Sequence, residues 1–146
     1  MRNEVLSREL MAAETTHRLR VRYNECDRVG IAFNSNYLVY TDVAVTEFWR
    51  EHLGGYSEFN EIGLDMVLAE ANLRFRQPLE FDDEFDIRVS VGGMTARSMT
   101  IEFEFTRSGE AIAEIEISYV CVSSTEHTPQ PIPDSIRTVL EGDSAT

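Results

Sequence analysis

The feature that most restricts the fold is the uninterrupted run from Tyr37 to Leu53, halted by Gly54-Gly55. Its β-branched members Val39, Thr41, Val43, Val45 and Thr46 are weak helix formers. Length overrides that preference, because strands are usually shorter and this run has no turn signal inside it. Asn34 or Ser35 is placed to cap its start, and the glycine pair to stop it. Tyr37, Leu38, Tyr40, Val43, Ala44, Val45, Phe48 and Trp49 cover more than one stripe of the helix. A helix apolar over that much of its surface is buried on most sides. The remainder of the chain must therefore supply its cover.

Alternating runs supply it. His17, Leu19, Val21 and Tyr23 alternate with Arg18, Arg20 and Arg22 before the helix. After a loop from Gly55 to Asp65 come four more runs. Ala69, Ala71, Leu73 and Phe75 carry the apolar face of the first, and Phe85, Ile87, Val89 and Val91 that of the second. Met99, Ile101, Phe103 and Phe105 carry the third, and Ala113, Ile115, Ile117 and Tyr119 the fourth. A period of two marks strands with one face buried. Gly92-Gly93-Met94 and Ser108-Gly109-Glu110 read as hairpin turns. A short helix is expected from Asp134 to Leu140, with Asp134 as its cap. The order predicts an α+β fold: one antiparallel five-stranded sheet wrapped around a long central helix. Residues 1–14 read as an N-terminal extension, 15–141 as a single domain and 142–146 as a tail. Open sheet edges and a core with one long helix point to a homodimer or homotetramer.

Charge and cysteine content narrow the function. The net charge is −13, and all 13 basic residues are arginine. Nucleic-acid binding wants a basic stripe, so that partner is excluded. No apolar run reaches the length of a membrane span and no apolar core of a secretory signal precedes the domain, which makes a cytoplasmic chain with no stable membrane insertion the expectation. Cys26 and Cys121 are too few for a disulfide framework or a zinc site, and read as small buried hydrophobes. No metal site and no cofactor is implied. The arginines at 18, 20 and 22 read as a solvated face, with an anionic ligand as the alternative.

The chemistry concentrates between Tyr23 and Tyr37, YNECDRVGIAFNSNY. A carboxylate, Asp27, precedes a glycine, Gly30, and both stand just ahead of the helix start at Asn34 to Asn36. The first N–H groups of a helix have no intrahelical partner and carry partial positive charge. A substrate carbonyl held there is polarised while a carboxylate attacks it or directs water at it. Acyl chemistry is the reading. Glu25 reads as a loop charge rather than a second catalytic acid.

These residues resemble the hotdog-fold acyl-CoA thioesterases of the 4-hydroxybenzoyl-CoA thioesterase-like group. The resemblance rests on Glu25-Cys26-Asp27-x-x-Gly30-Ile31 followed by Asn36-Tyr37. It continues through Asn72-x-x-Phe75, Pro78 with Asp82-Asp83, Arg97-Ser98 and Ile132-Pro133. It implies Asp27 as nucleophile or general base on an acyl-CoA thioester, aryl or fatty acyl. It also implies Gly30, Asn34, Tyr37, Arg97 and Ser98 on the substrate, Asn34 through its backbone N–H and Arg97 and Ser98 near the CoA phosphates or pantetheine. The site is implied to lie between subunits. His127 to Pro131 lacks the basic residues that relatives tend to carry, which leaves an acyl carrier protein thioester as an alternative substrate. A hydratase on the same fold needs a histidine paired with an acid, and neither His17, His52 nor His127 stands near the helix start. A non-catalytic acyl-binding dimer is the remaining alternative.

Overall fold

The computed structural model describes residues 12–142. The extension expected at 1–14 and the tail at 142–146 lie mostly outside that range, although Glu14 already belongs to a strand. Five strands form one antiparallel sheet: β1 (Glu14–Arg20), β2 (Leu64–Phe75), β3 (Glu84–Met94), β4 (Ser98–Arg107) and β5 (Glu110–Ser123), in the order β1-β3-β4-β5-β2. Three α-helices accompany them: α1 (Asn36–Leu53), α2 (Ser57–Glu61) and α3 (Asp134–Glu141). No helix among the described residues is long and apolar enough to cross a membrane.

The expected central helix is α1, and the sheet curls around it. Tyr37, Tyr40, Thr41, Ala44, Val45, Phe48 and Trp49 are its buried residues. Facing them are Phe85, Ile87 and Val89 of β3, Met99, Ile101, Phe103 and Phe105 of β4, and Ile115 and Ile117 of β5. Aromatic rings lock the N-terminal half of α1 onto the sheet: Tyr40 meets Phe85 at 5.0 Å, Tyr37 meets Phe105 at 5.6 Å, and Phe85 stacks on Phe105. Truncating one such buried aromatic costs about 3–5 kcal/mol. Gly54, at φ 83°, ends the helix in the left-handed conformation. Neither Asn34 nor Ser35 caps the other end through its side chain. The backbone does so instead, with the Asn36 and Tyr37 N–H groups donating to Phe33 O and Asn34 O.

Several expectations shift. The strand before the helix stops at Arg20; Val21 is buried, but Tyr23 is 81% exposed in a 3-10 turn, Tyr23–Glu25, against Phe81. The expected loop from Gly55 to Asp65 contains α2, which sinks Phe59 into the core, and the first two residues of β2. Gly92-Gly93-Met94 is not the hairpin turn. These residues lie inside β3, with a register shift between Val91 and Gly93, and the chain reverses at Thr95–Arg97. The glycine pair sits where β3 shifts register against β4, a place that favours glycine, and a Cβ on Gly92 would have only the flexible Glu102 side chain to displace. Ser108 and Gly109, with φ of 52° and 80°, do form the β4–β5 turn. Asp134 opens α3 but does not cap it.

The arginine face of β1 is an ion-pair ladder. Arg18 meets Asp86 at 2.9 Å, and Arg20 meets Glu84 at 2.8 Å and Asp82 at 3.2 Å. Further along, Arg88 joins Glu14 and Glu104. These exposed pairs each contribute little to stability. They do occupy the arginines, which favours the solvated-face reading over an anion site.

Candidate active site

Past β1, the chain between Val21 and Asn36 is held by backbone bonds to the β2–β3 connection. Val21 N–H donates to Asp83 O (2.9 Å), Ala32 N–H to Leu79 O (2.7 Å), and Phe81 N–H to Gly30 O (3.1 Å). Within this frame Asp27 to Gly30 make a tight turn, closed by the Gly30 N–H on Asp27 O at 3.0 Å. Gly30 has φ +87°, a conformation that suits glycine.

Aspartate suits the first turn position because its short carboxylate reaches backbone two residues on. Asp27 Oδ1 accepts the Val29 N–H at 2.9 Å and, at 3.4 Å, the Ile31 N–H. Asp27 Oδ2 accepts no hydrogen bond among the described residues. One oxygen is thus anchored while the other is left available.

Asp27 lines a cavity of about 370 Å³ with Ile31, Phe33, Asn34, Tyr37, Phe75 and Gln77. Asn34 stands at the amino end of α1, and neither its N–H nor that of Ser35 has a hydrogen-bond partner among the described residues. The aligned peptides of α1 add positive potential there. The remaining walls are largely apolar. Tyr37 packs edge-on against Phe75 at 4.9 Å, and its burial pushes the phenol above its ordinary pKa. A carboxylate, free N–H groups at a helix start and an apolar wall suit attack on an acyl carbonyl.

The structure brings together Asp27, Asn34 and Tyr37, with Gly30 shaping the turn. It does not bring Arg97 and Ser98 to this cavity within one chain. Arg97 ends the β3–β4 turn and Ser98 begins β4 at the far end of the sheet, where Ser98 Oγ meets Thr95 Oγ1 at 2.6 Å. Cys26 is no thiolate: burial, then Glu25 and Asp27, push its thiol up. None of the histidines reaches Asp27. His17 pairs with Ile87 across β1–β3, His52 contacts Glu14 and Thr15, and His127 lies beyond β5. Among the described residues no group of three or more His, Cys, Asp or Glu is arranged to hold a metal ion.

Two contributors were not evident from sequence. Gln77 has no motif around it except its position just before Pro78. Glu25 is no loose loop charge: its side chain is 15% exposed and accepts hydrogen bonds from Tyr40 Oη (2.9 Å) and the Arg22 N–H (2.8 Å). Burial and this bond to Glu25 push the Tyr40 phenol far above its ordinary pKa.

Known proteins share this architecture. Residues 21–140 match the model of the thioesterase-like superfamily. The acyl-CoA thioester hydrolase YbgC of Escherichia coli O157:H7 is 23% identical over 119 residues, spanning 81% of this chain and 89% of that protein. The structure of the gentisyl-coenzyme A thioesterase BH1999 superimposes with a TM-score of 0.78 at 30% identity, covering 86% of this chain and 99% of the other. A 1,4-dihydroxy-2-naphthoyl-CoA thioesterase from Synechocystis shares the fold (TM-score 0.79) at 17% identity, covering 87% of this chain and 95% of that one. The chain belongs to the thioesterase-like superfamily and has the hotdog fold of its thioester hydrolases.

Proposed function

We propose that the protein hydrolyses an acyl-CoA thioester to the free acid and CoA, with Asp27 as the reacting carboxylate. The observation that carries the reading is Asp27 anchored through Oδ1 in a cavity shared with the amino end of α1. With the thioester carbonyl oxygen on the Asn34 N–H, the carbonyl carbon is polarised. Asp27 Oδ2 then either attacks that carbon, expelling the CoA thiolate and leaving a mixed anhydride for water to cleave, or takes a proton from an attacking water. Both routes consume one water and end with the acid and the thiol. The resemblance to YbgC, an acyl-CoA thioester hydrolase, and to BH1999, a gentisyl-coenzyme A thioesterase, supports CoA as the thiol.

The site is completed by a second copy. β2 is an edge strand, and Val67 and Leu68 on it are about half exposed. Antiparallel pairing of two β2 strands about their middles sets the Phe75 end of one beside the Leu64 end of the other. Beside that end, on β5, lie Val120 to Ser123; Val120 pairs with Ser98, and Cys121 N–H donates to Arg97 O at 2.8 Å. Arg97 and Ser98 then lie two strand spacings, about 10 Å, from the subunit boundary. That offset suits a remote part of CoA rather than the reacting carbonyl.

The test is a panel of aryl-CoA, fatty acyl-CoA and acyl carrier protein thioesters, followed by Asp27→Asn on the best substrate. The substitution is nearly isosteric, so the fold should persist while kcat falls by about 10²–10⁴. Wild-type kcat in Asp27→Asn removes the assignment. Turnover confined to acyl carrier protein thioesters replaces CoA as the substrate.

A further inference from the structure

We infer that Glu25 is a positioning residue, holding the Asp27 turn and the amino end of α1 in reacting geometry; this rests on the hydrolytic role of Asp27 proposed above. Residue 25 joins three pieces of the site. Its side chain receives Tyr40 Oη from the second turn of α1 (2.9 Å) and the Arg22 N–H that begins the 3-10 turn (2.8 Å). Its carbonyl receives the Phe33 N–H (2.8 Å) and Asn36 Nδ2 (2.7 Å), the latter from the first residue of α1. Asp27 lies two residues after this hub, and the Asn34 N–H one residue after Phe33.

The anchoring group is itself fixed. Tyr40 is 3% exposed, its ring clamped between Phe85 and Tyr37. A buried hydroxyl bonded to a carboxylate is a strong, directional tie. By contrast, the segment from Arg28 to Gly30 is held by only a few bonds, and Val29 is 81% exposed. Without the Glu25 side chain, two of the five hydrogen bonds that fix residue 25 disappear and the Tyr40 hydroxyl is left buried without its acceptor. Asp27 is then free to drift relative to the Asn34 N–H. A misplacement of about 1 Å in a reacting group can cost about 10²-fold in rate.

The chemistry asks only for an acceptor at Oε1. Glutamine keeps an acceptor oxygen for both Tyr40 Oη and the Arg22 N–H; alanine keeps neither. Tyr40→Phe removes the donor and leaves the ring in place.

The experiment measures kcat and KM separately for Glu25→Ala, Glu25→Gln and Tyr40→Phe, each also in the Asp27→Asn background, on whichever thioester the wild type turns over. Thermal melting of every variant is recorded alongside. Glu25→Ala should lower kcat by about 30–100-fold with KM within about twofold, as expected when only transition-state geometry is lost. Glu25→Gln should recover kcat to within about threefold of wild type, and Tyr40→Phe should lower it by about tenfold. In the Asp27→Asn background Glu25→Ala should have no further effect on kcat, since its action runs through Asp27.

Wild-type kcat in Glu25→Ala overturns the inference. So does an equal loss with and without Asp27, which marks general loosening. If Glu25→Ala does not fold, Tyr40→Phe decides, and wild-type kcat in that variant also overturns it. A wild type inactive on every thioester, or an Asp27→Asn variant with full activity, defeats the hydrolytic reading instead.

Discussion

At the Asp27 end of the sheet the candidate side chain is tied to nearby backbone, its Oδ1 accepting the Val29 N–H. At the Arg97 end the backbone is tied, and the side chain has no hydrogen-bond partner among the described residues. Arg97 O holds the Cys121 N–H, Ala96 O holds the Ile132 N–H, and Arg137 Nη2 donates to Thr95 O at 2.6 Å. Among the described residues only Arg28, Arg74 and Arg97, of all the arginines, have no carboxylate within ion-pair distance. A reacting carboxylate gains rate from fixed geometry. A guanidinium that meets a phosphate at the far end of a flexible substrate needs charge and reach more than fixed geometry. In the function proposed above, each end serves one of these tasks and neither alone completes the site.

The largest effect is expected at the proposed subunit boundary. Replacing Val67 and Leu68 together with aspartate sets like charges across a β2–β2 pair while leaving the buried core untouched. Light scattering should then report monomers, and kcat/KM should fall by about 10²-fold, comparable to the loss of a misplaced reacting group. A monomeric wild type, or a monomeric variant with full activity, means the Asp27 end works alone.

Within the Asp27 end, Gly30→Ala isolates the turn. Nothing lies within 4 Å of the added Cβ, so its cost is the left-handed backbone alone, about 1–2 kcal/mol. Chemical denaturation should show that loss, with kcat reduced beside it. Unchanged stability would mean the turn relaxes freely and does not fix Asp27.

Arg97→Ala sharpens the other end. KM for an acyl-CoA should rise by about fivefold with kcat spared, equivalent to about 1 kcal/mol of uniform binding. The effect should vanish for pantetheine thioesters, which lack the nucleotide. An equal rise with both substrates assigns Arg97 to the fold of the turn instead.

The smallest effect concerns charge shared by both ends. With a net charge of −13, repulsion remains after local pairing. Raising salt from about 0.15 M to 1 M shortens the screening length from roughly 8 Å to 3 Å. The melting temperature should rise by only a few degrees, because the ion pairs on the sheet are screened as well. A flat or falling curve means those pairs already balance the acidic residues.

Much of the fold was legible because hydrophobic period and turn chemistry agree. The length of 37–53 and its glycine stop outweighed its β-branched residues, and burial by the sheet explains why. Asp27 and Gly30 were legible as a turn beside a helix start. Glu25 was not, because its importance comes from Tyr40, fifteen residues on, and from backbone donors that carry no sequence signature. The five-residue α2 is too short to show a helical period. Gly92-Gly93 misled because glycine serves turn and bulge alike, and here the pair falls where β3 shifts register against β4. Arg97 and Asp27 stay apart in one chain, so no spacing within it could join them.

The register shift between Leu68 and Glu70 in β2 works like a dislocation in a crystal row. Before it, even-numbered side chains face the core, as Leu64 and Met66 do; after it the odd-numbered Ala71 and Leu73 pack inward. Ala69 is the extra lattice point that changes the phase. Deleting it would merge the two phases and force either half of the strand to turn its polar side, Asn72 and Arg74 or Asp65, toward α1. Substitution at residue 69 is therefore a local matter, whereas a change in residue count there is a frameshift in three dimensions.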